Sequence, residues 1–462
     1  MIRTFCLIAS LAAAAPALAQ DVPFAPGAPE NRFVPESQTE MRMSFAPVVR
    51  EAAPAVVNVY TSRTVRQRVG FFSNRTRERE QNSLGSGVIV DPSGVIVTNH
   101  HVVNGAEELR IVLNDRREFE AEILLTDEAT DLAVLKVDTD EPLPVLAYDN
   151  AGDHEVGDLV LAIGNPFGVG QTVTSGIVSA LARTDVGETD FASFIQTDAA
   201  INPGNSGGAL VNMDGELIGV NTMIFSRSGG SNGIGFAIPV ELVSRVVDSA
   251  LTEGELIRPW LGARLQPVTN DLAMAFGLDR PRGALVNEIY PGAAADDAGF
   301  EQGDIVLAVD GHDVNNDSGI LFRLATHNTG EDARFTILRD GRELELDVPV
   351  LPAPGVAEPS PFFADGANPF TGATFLTLSP AFNQTVGIDP FADGVIITNV
   401  RRRSVAARFG LRPGDKVLEL MGERIETVED FDRILSIYDG AEVWPLAVER
   451  RGRLYETEIE LY

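Results

Sequence analysis

The chain has 462 residues, too many for one hydrophobic core and enough for about three domains of roughly 150 residues. It carries 36 basic against 67 acidic residues, a net charge of −31. Such a field argues against general binding to nucleic acid or anionic lipid and reads as a solubilising surface.

Arg3, the apolar stretch Phe5 to Ala15 and Ala17-Leu18-Ala19 before Gln20 read as a secretory signal over residues 1–19. The stretch falls short of the ~18–20 residues needed to span a bilayer, and no later run reaches that length. An exported protein with no integral membrane segment is expected. Loss of Arg3 leaves 35 basic against 67 acidic residues, or −32. Cys6, the single cysteine, lies in the signal, so the rest of the chain has no disulfide or thiol chemistry.

Residues 20–40, rich in Pro and Ala, are expected to be poorly ordered. From 41 to 256 the chain reads as strands separated by turns. Val88-Ile89-Val90, the turn Asp91-Pro92-Ser93-Gly94 and Val95-Ile96-Val97 predict a hairpin. Further β-rich runs are Leu109 to Leu113, Leu132 to Val137, Leu159 to Ile163, Leu217 to Val220 and Ile234 to Ile238. Their short spacing predicts barrels or sandwiches rather than βα units. Arg75, Arg77 and Arg79, and the run Arg401-Arg402-Arg403, read as solvated loops. Val240 to Leu251 has helical spacing and is ended by Gly254.

The C-terminal part repeats itself. Gly283 to Val314 aligns without gaps with Gly394 to Ile425 at an offset of 111. Gly303-Asp304 falls on Gly414-Asp415 and Gly311 on Gly422. A period this long marks a duplicated domain, 257–351 and 370–462, with the Pro-rich stretch 352–369 as linker.

The most informative run is Asn202-Pro203-Gly204-Asn205-Ser206-Gly207-Gly208. Glycines on both sides let a substrate carbonyl approach Ser206 and let backbone N–H groups turn inward. The loop Gly204, Asn205 and Ser206 is the candidate oxyanion hole. The same residues also make an ordinary turn, so the run alone leaves both readings open. A serine hydroxyl needs a base, and the chain has five histidines. The order Ser, acid, His fails, because only His312 and His327 follow Ser206 and both lie in the first repeat. The order His, Asp, Ser fits Thr98-Asn99-His100-His101-Val102, then Thr130-Asp131-Leu132-Ala133, then Gly204-Asn205-Ser206. His101 would take the serine proton and Asp131 would hold its imidazole. Asp127 is the competing acid and reads as a solvated turn residue.

These motifs, in this order and ahead of two repeats, resemble the HtrA (Deg) family of periplasmic serine proteases. The resemblance covers nearly the whole chain after the signal. It implies a mainly β fold: a trypsin-like double β-barrel protease domain followed by two α+β PDZ domains. It also implies an ATP-independent endopeptidase that degrades unfolded or misfolded exported proteins, without cofactor or metal, in homo-oligomers built from trimers. The alternative is a PDZ-based chaperone or scaffold with minor or silent proteolysis.

The family's register assigns His101 as the base. It usually has asparagine where this chain has His100, and the two histidines are expected on opposite sides of an extended backbone. Ala200, beside Ile201, stands where trypsin-like preference for Lys or Arg needs an acid; with a wall of Thr222, Met223 and Ile224 it predicts cleavage after small aliphatic residues. C-terminal peptides are expected at Trp260, Leu261, Gly262 and Ala263 of the first repeat. Phe370-Thr371-Gly372-Ala373 of the second leaves binding open. The segment from Arg63 to Asn82 falls on the family's regulatory loop.

Overall fold

The computed structural model describes residues 44–68, 76–149, 154–165, 170–183, 193–202, 204–224 and 232–461. The signal expected over 1–19, the tail 20–40, Cys6 and Arg75 lie outside them. The barrels and repeats belong to the unit Ala46–Tyr462.

After a short helix, α1 (Ala46–Ala52), six strands close a first barrel. They are β1 (Val56–Arg68), β2 (Thr76–Asp91), β3 (Val95–Thr98), β4 (Glu108–Val112), β5 (Glu118–Asp127) and β6 (Leu132–Val137), in the order β1-β2-β3-β6-β5-β4. Alternate residues such as Val57, Val59, Ile96, Ile111 and Leu135 pack one apolar cluster. The expected hairpin forms with Val88 opposite Val97 and Ile89 opposite Ile96. Its Gly94, at φ +97, donates its amide to Asp91 O at 3.0 Å. The stretch around Arg77 and Arg79, read as a solvated loop, belongs instead to a ribbon, paired from Arg63 opposite Gln81 to Arg68 opposite Thr76. The polar composition hid the outer half of β1, which β-branched Thr61, Thr64 and Val65 favour.

A second barrel uses β7 (Leu159–Gly164), β8 (Thr172–Arg183), β9 (Phe194–Thr197), β10 (Ala209–Val211), β11 (Leu217–Ile224) and β12 (Gly235–Pro239), in the order β10-β11-β12-β9-β8-β7. Val160, Ala162, Val178, Leu210 and Ile218 fill it. Between β3 and β4 lies one helical turn, α2 (His100–Val103); α3 (Val240–Thr252) follows β12 and ends with the Gly254 amide on Ser249 O.

Each repeat is a strand-and-helix module. The first has β13 (Ala263–Pro267), α4 (Asn270–Phe276), β14 (Ala284–Ile289), α5 (Ala294–Asp297), β15 (Ile305–Val309), β16 (His312–Asp313), α6 (Asp317–Ala325), β17 (Asp332–Arg339) and β18 (Arg342–Pro349). The second has β19 (Phe362–Phe363), β20 (Ala373–Thr377), α7 (Pro380–Val386), β21 (Val395–Val400), α8 (Val405–Arg408), β22 (Lys416–Leu420), β23 (Glu423–Arg424), α9 (Val428–Ile437), β24 (Val443–Arg450) and β25 (Arg453–Glu460). Sheet orders are β13-β14-β15-β17-β18 and β19-β20-β21-β22-β24-β25. The repeated Gly-Asp pairs mark one device: buried Asp304 is gripped at both oxygens by Arg339, and buried Asp415 by Arg450.

The stretch read as a linker is not only a connector. Pro352 bridges to Pro259, β19 joins the second sheet, and Ala364 enters its core. Phe322 and Ala325 of α6 share an apolar cluster with Phe236, Val243 and Val247 of the protease domain. The first repeat's Trp260 and Tyr290 enclose Phe391 of the second, while Arg264 bonds Asp389 at 2.6 and 2.7 Å.

Candidate active site

Asp131 immediately precedes β6 in a left-handed conformation, φ +54, that a non-glycine residue adopts only when its surroundings hold it there. Asp127 supplies part of that hold. It is buried, accepts from the Thr130 amide and hydroxyl at 2.8 Å each, and pairs with Arg258 from the segment leading into the first repeat. The solvated role expected for Asp127 is thereby corrected: it braces the turn that presents Asp131. The Asp131 carbonyl accepts from the His100 amide and the Asn99 side chain, both at 3.0 Å.

His100 and His101 open a helical turn, not the extended backbone expected, yet they still diverge. His100 Nδ1 lies 2.6 Å from Thr126 Oγ1, whereas His101 Nδ1 lies 2.9 Å from both Asp131 oxygens. The His101 amide donates to Asp131 Oδ1 at 3.0 Å, and Thr222 Oγ1 to Oδ2 at 2.6 Å. Burial alone would raise the Asp131 carboxyl. The hydrogen bond and charge of His101, the Thr222 hydroxyl and the His101 amide outweigh it and hold the group below its ordinary value. A carboxylate at Nδ1 fixes the proton there, which leaves Nε2 as the basic nitrogen.

Ser206 sits where the second barrel meets the first. Its carbonyl accepts from the Ser86 amide at 2.9 Å, and the Ser86 hydroxyl donates to Gly204 O at 2.6 Å while accepting from the Asn165 amide at 2.8 Å. Ser86, fully buried on β2, thus grips the serine loop at two carbonyls. Sequence reasoning missed it. Its signal is the strand-interior triplet Gly85-Ser86-Gly87, since glycine inside a strand marks close approach; a Cβ on Gly85 would stand 2.6 Å from Val102. Gly207, at φ +81, has no room for a side chain, with Ser86 O 2.1 Å from its would-be Cβ.

The amides of Gly204 and Ser206 donate to no described residue, but the Asn205 amide is bound to Asn202 O at 2.9 Å. Asn205 is therefore corrected out of the set of available donors. The Ser206 hydroxyl donates to Thr222 O at 3.0 Å; among the described residues it makes no hydrogen bond to His101.

The expected pocket is also redistributed. Ala200 is half-buried with its carbonyl bound by Thr174. Ile201 belongs to the interior of the second barrel, and Thr222 faces Asp131 rather than a substrate. Met223 packs against the cluster around Val243. The side chain of Ile224 lies outside the described residues. In the first repeat, Trp260 and Leu261 turn their side chains into packed clusters. Gly262, at φ +74, immediately precedes the strand that opens with Ala263.

Two closed β-barrels with a glycine-flanked serine at their junction, followed by a duplicated strand-and-helix module, define a trypsin-like serine endopeptidase with two appended repeat domains. The trypsin-like peptidase domain model matches residues 85–220, and PDZ domain models match 259–350 and 396–450. The chain is 39% identical over 446 residues to a probable periplasmic serine endoprotease DegP-like of Halomonas elongata, covering 90% of this chain and 93% of that one. It is 40% identical over 371 residues to one of Chlamydia pneumoniae, covering 79% and 74%. Among solved structures it resembles the HtrA-type protease AlgW with decapeptide, at 40% identity, TM-score 0.52, and coverage of 68% and 100%. The chain belongs to the HtrA (Deg) family of serine endoproteases.

Proposed function

We propose that Ser206, His101 and Asp131 are the catalytic triad of this endopeptidase, and that it degrades unfolded or damaged exported proteins in the periplasm without ATP. The observation that carries the triad is the grip of Asp131 on His101 Nδ1, which leaves Nε2 to act as a base, while Thr222 touches both Asp131 and Ser206. Ser206 Oγ exchanges its bond to Thr222 O for one to His101 Nε2, then attacks the scissile carbonyl carbon as its proton passes to that nitrogen. The Gly204 and Ser206 amides hold the resulting oxyanion. His101 returns the proton to the leaving amine, and water attacking through the same base releases the acyl group from Ser206.

The periplasmic setting is supported by the relatives named periplasmic endoprotease; no helix among the described residues is long and apolar enough to cross a membrane. PDZ domains support capture of C-terminal peptides, and family membership supports trimer-based oligomers. Ala200, half-buried and uncharged where a preference for Lys or Arg would need an acid, supports cleavage after small aliphatic residues. The test compares the native chain with Ser206→Ala on casein as an unfolded substrate. The native chain is expected to cut and the variant not to. Equal rates would remove Ser206 from the mechanism. Product profiling that finds mainly basic or aromatic residues before the cut would overturn the pocket assignment.

A further inference from the structure

The two repeats fold alike but differ at the edge where a PDZ domain accepts a peptide as an added strand. In the first, β13 pairs only with β14. The Leu261 and Gly262 carbonyls accept from the Ala295 and Tyr290 amides, each at 2.8 Å. Across the same trans peptide planes, the amides of Gly262 and Ala263 face away from that contact, and the Gly262 amide has no acceptor among the described residues. The second repeat copies this pattern, with Thr371 O on the Ala406 amide at 3.2 Å and Gly372 O on the Arg401 amide at 2.8 Å.

There, however, the corresponding amide is occupied. Gly372 N–H donates to Ala364 O at 3.0 Å, and Ala364 N–H to Ala373 O at 3.1 Å. Phe362 and Phe363 continue antiparallel along β20, opposite Phe375 and Thr374. Residues two apart on a strand share a face. Ala364 is buried in the core, and the Phe362 ring sits 5.9 Å from Phe431 of α9 and 6.4 Å from Phe375, while Phe363 between them is 67% exposed. The PDZ domain model matches this repeat only from residue 396, beyond the closed edge.

We infer that the second repeat is a peptide site held shut by its own chain. Ala364 O stands in for a terminal carboxylate oxygen, and Ala364 and Phe362 for the last and third-last side chains of a ligand. The peptide that displaces them has the same chemistry: a free C-terminal carboxylate on a small residue, with an aromatic residue two positions earlier.

Binding is read in the Ser206→Ala chain, so that the probe stays intact and the outcome does not depend on the catalytic assignment. The probe is the free acid of the peptide spanning residues 358–364, Glu-Pro-Ser-Pro-Phe-Phe-Ala, titrated calorimetrically. Phe362→Ala and Phe362→Glu are each expected to gain one binding site per chain over the parent. A site open a tenth of the time binds about tenfold more weakly, so affinity there rises by about tenfold or more. The C-terminal amide of the same peptide is expected to leave the gained site empty. A Phe363→Cys/Thr374→Cys pair across the strand, in a Cys6→Ser chain carrying Phe362→Ala, is expected to erase the gain until its disulfide is reduced. Emission from buried Trp444 reports that the second repeat stays folded in each variant. A folded Phe362→Ala chain with no gained site overturns the inference. So does an amide peptide that binds as well as the acid, or a gain that survives the disulfide.

Discussion

Replacing Thr222 by valine removes one hydroxyl and keeps the shape. Thr222 is 2% exposed and its Oγ1 donates to Asp131 Oδ2 at 2.6 Å, so no water replaces the lost donor. Its carbonyl, which holds Ser206, is untouched. A hydrogen bond to an ionised group contributes about 1.5–3 kcal/mol. At about 2–4 °C per kcal/mol for a domain of this size, the protease melting transition falls by roughly 3–12 °C near neutral pH. The pH dependence carries the diagnosis. Asp131 has a depressed folded-state pKa, so its contribution is present above the unfolded value of ~3.9 and is lost as pH falls through the folded value. The gap between native and variant therefore narrows as pH is lowered from about 5 toward 3. Calorimetry is the right assay, because both tryptophans, Trp260 and Trp444, lie in the repeats. Labelling of Ser206 by a fluorophosphonate should slow by up to about 100-fold if the whole loss appears in the transition state. A variant as stable as the native chain at neutral pH, or one whose deficit persists unchanged in acid, would show that the Thr222 hydroxyl does not support the Asp131 charge.

Ser86→Ala strands a half-buried carbonyl at Gly204 and a buried amide at Asn165, at up to about 1–3 kcal/mol each; fluorophosphonate labelling should slow while peptide binding to the first repeat is unchanged. Arg258→Ala leaves buried Asp127 without its cation; because Arg258 is 43% exposed, the expected loss is about 1–3 kcal/mol rather than that of a fully buried pair, with partial rescue by Arg258→Lys in calorimetry. Arg450→Met leaves Asp415 buried and uncompensated, so the second repeat should unfold at lower urea by about 3–5 kcal/mol, followed by Trp444 emission. An unchanged urea midpoint would show that the Gly-Asp repeat has another purpose.

What could be read from the sequence was what is local. Apolar runs such as Leu132 to Val137 and the Pro-Ser-Gly turn before Val95 carry their own period and punctuation, and they became β6 and the β2–β3 hairpin. The 111-residue offset likewise announced two copies of one module. Residues that act through distant partners left little trace. The Ser86 hydroxyl meets Gly204 across 118 positions, and Arg258 meets Asp127 across 131, so nothing near either residue in the sequence marks it. β19 was invisible for a different reason. Two residues in a Pro-rich stretch have no periodicity, and their strand exists only because β20 offers an unpaired edge.

Thr222 shows the same limit at the active site. In the sequence it reads as pocket wall by its place in the family's pattern, but in the structure it touches both ends of the proposed triad. Its hydroxyl secures Asp131 and its carbonyl accepts from the Ser206 hydroxyl. In this arrangement the proposed acid and base are engaged while the proposed nucleophile is not, since Ser206 Oγ has one proton and donates it to Thr222 O. Activation then requires no assembly of Asp131 with His101. The proposed mechanism requires Ser206 to change acceptor, in a loop that Ser86 holds at the Gly204 and Ser206 carbonyls. Changes that loosen Ser86 and changes that loosen Thr222 should therefore separate, the first moving the serine loop and the second the charge that waits for it.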